Sequence, residues 1–329
     1  MPDRILKPRP FTPAPQLVAD LGGTNTRVAL ADGGVLRQGS IRRFANAGHT
    51  SLSDILRAYL AQTATTECSG VCVAVAGPVA DGRARMTNLD WEITRDDLAA
   101  LGGCDKVFIL NDLQAQGHAL AGLDPRHVHL LMPGEPETST PSSNVATRLV
   151  VGAGTGFNAA PVFSGPQGVF VPPSETGHIH LPHHTEAETA LARHLAKLHG
   201  IATLEEALSG RGLVALHHWT SGTDIAAADL IAALAARDPR ARETGALYAG
   251  LMGRVLASLA LVHLPYGGIY LIGGVARAMA PYLIDLGMVD AFTRMGRFSA
   301  HMARFSVSVV EDDYAGLLGC AAHLAAQRA

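Results

Sequence analysis

The sequence predicts a two-domain α/β protein, and three observations carry that expectation. The length of 329 residues is about twice that of a typical domain. Continuous apolar runs such as residues 71–76 alternate with segments whose apolar residues recur at helical spacing. Finally, a strand–glycine turn–strand pattern occurs twice, starting at Asp20 and at Gly152, 132 residues apart, which points to two halves built on one plan.

In the first half, Leu17-Val18-Ala19 and Arg27-Val28-Ala29-Leu30 flank a Gly-Gly-Thr-Asn turn, and residues 35–44 read as a third antiparallel strand. Residues 51–62 follow as a helix with Leu52, Ile55, Leu56 and Tyr59 on one face. The buried strand 71–76 ends in Gly77-Pro78, a short helix covers 94–101, and the buried strand 107–110 ends at Asn111-Asp112. Residues 133–147, rich in Pro, Ser, Thr and Glu, read as a surface loop. In the second half, strands 149–151 and 158–163 flank Gly152-Ala153-Gly154-Thr155-Gly156. Helices are expected over 186–199, near Leu204, and over 224–237 and 239–263. Strand 269–272 leads into Gly273-Gly274 and a helix, and strand 305–310 precedes a closing helix from Tyr314, expected to pack back on the first domain.

Composition narrows the function. Hydrophobic residues make up 48% and charged residues 17%, enough to bury two cores and to exclude a disordered chain. With 26 basic against 29 acidic residues the net charge is −3, which lacks the basic footprint of a nucleic-acid binder. Cys68, Cys72, Cys104 and Cys320 are too scattered for a disulfide framework and read as buried thiols in a reducing cytoplasm. The longest apolar stretch, residues 255–264, is too short for a membrane span. The first fifteen residues hold five prolines and no apolar segment, and read as a flexible extension rather than a signal peptide.

Several motifs carry chemistry. In Asp20-Leu21-Gly22-Gly23-Thr24 the glycines let backbone N–H groups approach an anion, and Asp20 at the strand end is placed to hold a metal ion directly or through water. A strand follows this turn and the Gly-Lys-Ser/Thr of a P-loop is missing; an ordinary hairpin turn would look the same locally. The Gly152 to Gly156 turn is likewise no dinucleotide fingerprint, but as a second anion-holding hairpin it suits a phosphate chain gripped from two sides. Asn111-Asp112 sits at the strand end where α/β ligands bind; Asp112 there can accept a proton from a substrate hydroxyl that Asn111 orients, although helix capping also suits the pair. Glu175-Thr176-Gly177-His178 lies on a loop and can read a polyhydroxylated ligand. The following His180, His183 and His184 lack the spacing of a zinc site and read as a solvated loop. Gly273-Gly274 ends a strand and opens a helix, a terminus able to meet a nucleoside or phosphate oxygen.

Taken in order, Ala19 to Asn25, Ala76-Gly77-Pro78, Thr87-Asn88-Leu89, Asn111-Asp112, Gly152 to Gly156, Ser174 to His178, Leu208 to Leu213 and Ile272 to Val275 resemble the bacterial glucokinases. These are non-zinc, ATP-dependent hexose kinases of the actin-like, sugar-kinase, Hsp70 ATPase superfamily. The resemblance runs from about Leu17 to the C-terminus. It implies an actin-like, ribonuclease H-like fold in which ATP and sugar occupy the cleft between a smaller and a larger α/β domain. The division it suggests is a proline-rich extension over 1–15, a small domain over 16–121 with 312–329, and a large domain over 122–311.

The same resemblance implies phosphorylation of glucose at the 6-hydroxyl, with Asp112 as catalytic base. Asn111, Glu175, His178 and Glu205, with Gly77 and Asn88, are then the sugar contacts. Ala19, Asp20, Leu21, Gly22, Gly23 and Thr24 form the first phosphate loop; Gly152, Gly154, Thr155 and Gly156 form the second; Gly273 and Gly274 form the adenosine segment. Mg²⁺ would be held through water by Asp20, and the protein would be a cytoplasmic homodimer in glycolysis. A related hexose or amino sugar, mannose or N-acetylglucosamine, is the alternative acceptor. Arg211 and Phe157-Asn158 depart from the family pattern, and the cysteine cluster of the zinc-bearing repressor/kinase branch is missing. A chaperone or filament ATPase would keep the phosphate turns but has no use for Glu175, His178 and Glu205 together. A sugar-responsive repressor would need a helix-turn-helix ahead of the first strand, where about fifteen residues stand.

Overall fold

The structure, a computed structural model, describes residues 14–86, 89–135, 146–166 and 168–327. The proline-rich start up to residue 13, Asn88, and residues 136–145 of the expected surface loop lie outside the described residues.

The chain opens with β1 (Gln16–Leu21) and β2 (Asn25–Asp32), followed by β3 (Val35–Leu36), β4 (Arg42–Ala45) and α1 (Leu52–Gln62). The single strand expected over 35–44 is therefore two short ones, both paired with β2, because Gly39 adopts φ +76° and turns the chain between them. After β5 (Gly70–Val75), a small meander of β6 (Val79–Ala80), β7 (Arg83–Arg85) and β8 (Glu92–Thr94) intervenes. The chain continues with α2 (Arg95–Gly102), β9 (Val107–Asn111) and α3 (Asp112–Ala119).

Next come β10 (Val128–Met132), β11 (Arg148–Ala153), β12 (Phe157–Gly165) and β13 (Gly168–Phe170). The helices α4 (Glu186–His199), α5 (Leu204–Leu208), α6 (Gly210–Ser221), α7 (Ala227–Ala235) and α8 (Pro239–His263) follow. Last are β14 (Ile269–Ile272), α9 (Gly274–Leu283), α10 (Met288–Thr293), α11 (Ser299–Met302), β15 (Val307–Val310) and α12 (Ala315–Ala326). The helix expected over 224–237 is the shorter α7.

Helix boundaries follow from local chemistry. Ser51 Oγ caps α1 by accepting the Asp54 N–H, and Thr94 does the same for α2 through Asp97. Thr185 and Glu188 form a reciprocal capping box on α4. Asp238 caps α8, with Pro239 in its first turn, where a missing N–H costs nothing.

The described residues divide into two compact units: those up to Asp112 together with those from Gly316 on, and Leu113–Ala315. The first unit is built on the sheet β3-β2-β1-β5-β9, with β4 also on β2. Here β1 pairs antiparallel with β2 and parallel with β5, and β5 pairs parallel with β9. The second unit has the sheet β10-β15-β14-β11-β12-β13, in which β11 pairs antiparallel with β12 and parallel with β14. Each unit thus holds a hairpin whose first strand also carries a parallel neighbour, the duplicated plan expected from the two glycine turns.

The expected division at 121/122 differs from the contact boundary at 112/113, and α3 explains why. Leu113 packs with Val150, Val162 and Val171, Gln114 Nε2 donates to the Val171 carbonyl at 2.9 Å, and Gly117 lies against Val162 and Val171. The helix is therefore cemented to the second unit from its second residue onward.

Core residues follow the strand period. Leu149 and Val151 join the main core of the second unit with Tyr248, Leu256, Leu271, Phe292 and Phe305, whereas Val150 points into the smaller core with Leu113 and Val310. In the first unit Leu17, Leu21, Val28, Ile55, Leu56, Val71, Val73, Val75 and Leu98 form one cluster. Cys68, Cys72 and Cys320 are buried thiols as expected, but Cys104 is half-buried because it follows the C-terminal turn of α2. Burial pushes the Cys68 thiol up to about 11. One helix among the described residues, α8, is long and apolar enough to cross a membrane, and 61% of its apolar window is buried inside the protein.

Leu256 is fully enclosed at the centre of α8. Leu256→Ala is expected to cost about 2–5 kcal/mol, read as a lower urea midpoint in circular dichroism.

Candidate active site

In the first unit, the β1–β2 turn is closed by the Gly22 N–H donating to the Asn25 carbonyl at 3.1 Å. Gly23 and Thr24 are exposed at its tip, and Gly22 is partly so. Ala19 and Leu21 are buried: the Ala19 carbonyl faces Cys320 Sγ at 3.6 Å, and the Leu21 carbonyl accepts the Ala76 N–H at 3.1 Å. A residue that local pattern did not flag holds this turn. Asn46, 2% exposed, donates its side-chain amide to the Gly22 carbonyl at 2.8 Å and its backbone N–H to the Thr24 carbonyl at 2.9 Å. Its Oδ1 accepts from Thr26 Oγ1 at 2.7 Å. The turn is thus pinned from beneath by one buried amide.

Asp20 stands at the end of β1 with Arg27 Nη1 3.6 Å away, and its Cγ leaves no space for a β-carbon on Gly316 of α12. Burial raises the Asp20 pKa, and Arg27 opposes that rise. A desolvated carboxylate that Arg27 compensates only in part gains from a cation, so its chemistry fits the water-mediated Mg²⁺ expected there. No group of three or more His, Cys, Asp or Glu able to hold a metal ion occurs among the described residues.

Asn111 ends β9 and Asp112 opens α3, both partly exposed. Asn111 Nδ2 donates to the Gly77 carbonyl at 3.0 Å, bringing together two of the expected sugar contacts. The chain reaches this point because β5 and β9 run parallel in register, Val75 opposite Asn111, so their ends emerge side by side.

In the second unit, the β11–β12 turn is closed by the Gly154 N–H on the Gly156 carbonyl at 2.9 Å. The Gly154 carbonyl accepts the Gly210 N–H at 2.7 Å, which ties the start of α6 to the turn. Gly273 adopts φ +100° and lies so close to the Ala153 carbonyl that no side chain fits. The turn 152–156, including Thr155, and the Gly273-Gly274 corner, read in the sequence as two separate motifs, are therefore one cluster.

Phe157, just past that turn, organises the rest. Its N–H donates to Glu205 Oε2 at 2.9 Å, and its carbonyl presses on Gly177, where a β-carbon would overlap it. Glu205 Oε1 accepts from Arg211 Nη2 at 2.5 Å, and Arg211 also reaches Glu206 at 3.1 Å. Asn158 Nδ2 donates to the Ser174 carbonyl at 2.6 Å, and Thr176 Oγ1 donates to the Ala159 carbonyl at 3.1 Å. The segment expected to be a loop is in fact a 3₁₀ turn over Thr176–His178, with Glu175 Oε2 4.0 Å from His178 Nε2 and both side chains exposed. Beyond it, the Leu204 N–H donates to the Ile179 carbonyl at 3.1 Å, so the Glu175 and Glu205 segments are stitched together. Glu175, His178 and Glu205 are held on one scaffold beside the second glycine turn. The departures at Arg211 and Asn158 are part of that scaffold.

A family model described as glucokinase matches residues 17–327. A glucokinase of Stenotrophomonas maltophilia strain R551-3 is 34% identical, over 94% of this chain and 95% of its own. A glucokinase crystal structure from an Antarctic psychrotroph superposes with a TM-score of 0.82 at 28% identity, covering 95% of this chain and 99% of its own. The structure of a Balamuthia mandrillaris glucokinase in complex with glucose has the same fold, with a TM-score of 0.76 at 21% identity over 95% of this chain and 94% of its own.

Asn46→Ala removes the pin under the first turn and leaves the buried Thr26 hydroxyl unpaired. A stability loss of about 1–3 kcal/mol is expected, together with faster hydrogen exchange at the Gly22 and Asn46 amides.

Proposed function

The chain belongs to the glucokinase family, and from that premise we propose that it transfers the γ-phosphoryl group of ATP to the 6-hydroxyl of D-glucose, with Asp112 as general base. The observation that carries this reading is the scaffold around Phe157, which holds Glu175, His178 and Glu205 beside the 152–156 turn. Three polar side chains on one support suit the hydroxyls of a pyranose, and a bound sugar that lacked one hydroxyl would cover a polar group and leave it unpaired. Asn111 and Gly77, joined by their hydrogen bond, supply further polar contacts beside Asp112.

Phosphoryl transfer proceeds through a loose transition state, so positioning and charge neutralisation do most of the work. The backbone N–H groups of the two glycine turns serve as donors to the phosphate chain, and the Gly273-Gly274 corner receives the nucleoside. Mg²⁺, when bound with ATP, neutralises phosphate charge, and Asp20 would hold it through water. The 6-oxygen of glucose attacks the γ-phosphorus as the bond to the bridging oxygen breaks. Asp112 takes the hydroxyl proton, and ADP and glucose 6-phosphate leave. By the same reading the protein is a cytoplasmic homodimer acting in glycolysis on soluble substrates, without nucleic acid or membrane as partner; family membership, the net charge of −3 and the scattered cysteines support this.

The test is ADP release with Mg-ATP against glucose, mannose, fructose, N-acetylglucosamine and no sugar. Glucose-dependent turnover well above the others is expected; turnover only with another sugar would overturn the acceptor, and hydrolysis without sugar would overturn the reaction. Asp112→Asn is expected to lower kcat by about 10²–10⁴-fold with an unchanged circular dichroism spectrum. Arg211→Ala frees one oxygen of Glu205 and is expected to raise the glucose KM about fivefold, leaving the ATP KM unchanged in initial-rate kinetics.

A further inference from the structure

The second unit contains a cavity of about 370 Å³ that the proposed reaction does not use. Its floor is α8, which contributes Arg254 and Ser258; one wall is the segment containing His183 and Thr185, and the other is α10 with Asp290, continuing to Arg294. A volume of this size accommodates a small metabolite.

The cations here are set up unusually. Arg254 pairs with Glu188, a carboxylate that also accepts the backbone N–H of His184 at 2.8 Å and of Thr185 at 3.1 Å. That pairing uses Nη2 and leaves Arg254 Nε buried with no hydrogen-bond partner. Such an orphaned donor costs free energy until an acceptor arrives. Burial, reinforced by the neighbouring Arg294, lowers the Arg254 pKa, so the two guanidinium groups feel each other's charge. Arg294 is exposed, and its guanidinium makes no ion pair among the described residues. Two arginines that repel each other, one with an unused buried N–H and one with an unused charge, share the need for an anion with several oxygens. Asp290 opposes such an anion, whereas the hydroxyls of Thr185 and Ser258 accommodate one that carries polar groups of its own.

We propose that this cavity binds a small phosphate-bearing anion, seated on Arg254 and Arg294. Phosphate supplies more acceptor oxygens than a carboxylate does, which suits both guanidinium groups at once.

The test is isothermal titration of the full chain with inorganic phosphate and, separately, with glycerol phosphate. Saturable binding is expected. Arg294→Ala should weaken it about fivefold or more, and Asp290→Asn should tighten it about twofold. Both positions are exposed, so thermal unfolding should be nearly unchanged and serves as the check on folding. Any phosphate held at the glycine turns is indifferent to either substitution, so only the part of the titration that moves belongs to the cavity. Tighter binding of glycerol phosphate would identify a phosphate ester as the ligand, and equal binding would identify the free ion; either supports the site. Affinities unchanged in both variants, or no saturable binding at all, would overturn it. Because the measurement reads binding and not turnover, it succeeds or fails independently of the proposed kinase reaction.

Discussion

The peptide groups on either side of the Phe157 side chain set the geometry around the second glycine turn. The N–H holds Glu205 and the carbonyl lies so close to Gly177 that no side chain fits there, so one short stretch of β12 bears on two segments that lie far apart in sequence. Strand β12 is itself held by its antiparallel register with β11, in which Ala153 faces Phe157. The rigidity of the sheet is thereby passed to side chains that sit on a 3₁₀ turn and a five-residue helix, neither of which would hold a carboxylate in place unaided. Arg211 adds a charged contact on the opposite oxygen of Glu205.

The first unit solves the matching problem by different means. Its glycine turn is pinned by the side chain of Asn46, whereas the second unit's turn is pinned by the backbone of Gly210. Both devices satisfy a carbonyl of the turn, at Gly22 and at Gly154. Duplicated strand order therefore does not entail duplicated support: one turn is locked by a side chain just past β4, the other by the first peptide of α6, far along the chain.

How much of this could be read in the sequence depends on the range of each interaction. The hairpins, the buried strands and Asn111-Asp112 at the end of β9 were legible because apolar runs and glycine turns are local signals. The cluster of the 152–156 turn with Gly273 was legible only as two separate motifs, and the register of β11 with β14 unites them. Asn46 was not legible: it acts 24 residues from Gly22, and nothing around it marks it as different from any polar residue after a strand. The β6–β8 meander was missed because its strands are two and three residues long, too short for the alternation that buries Ala84 and Ile93 to register as a pattern. Arg211 stood out as an oddity, but its pairing with Glu205 depends on the break between α5 and α6 at Ser209, which turns the chain back on itself.

The return of the last helix to the first unit has a consequence for how the protein is made. Helix α12 lies against β1 through Cys320 and Ala19, against Asp20 through Gly316, and against Gly70 through Leu324. The strands it covers, β1 and β5, leave the ribosome about 240–300 residues earlier, which is about 12–60 s at ordinary elongation rates. By the end of that interval the second unit has all the chain it needs to close, while the earlier-made sheet still has an apolar face open to water. The unit synthesised first is thus the one completed last, and the nascent chain needs protection where α12 will eventually lie.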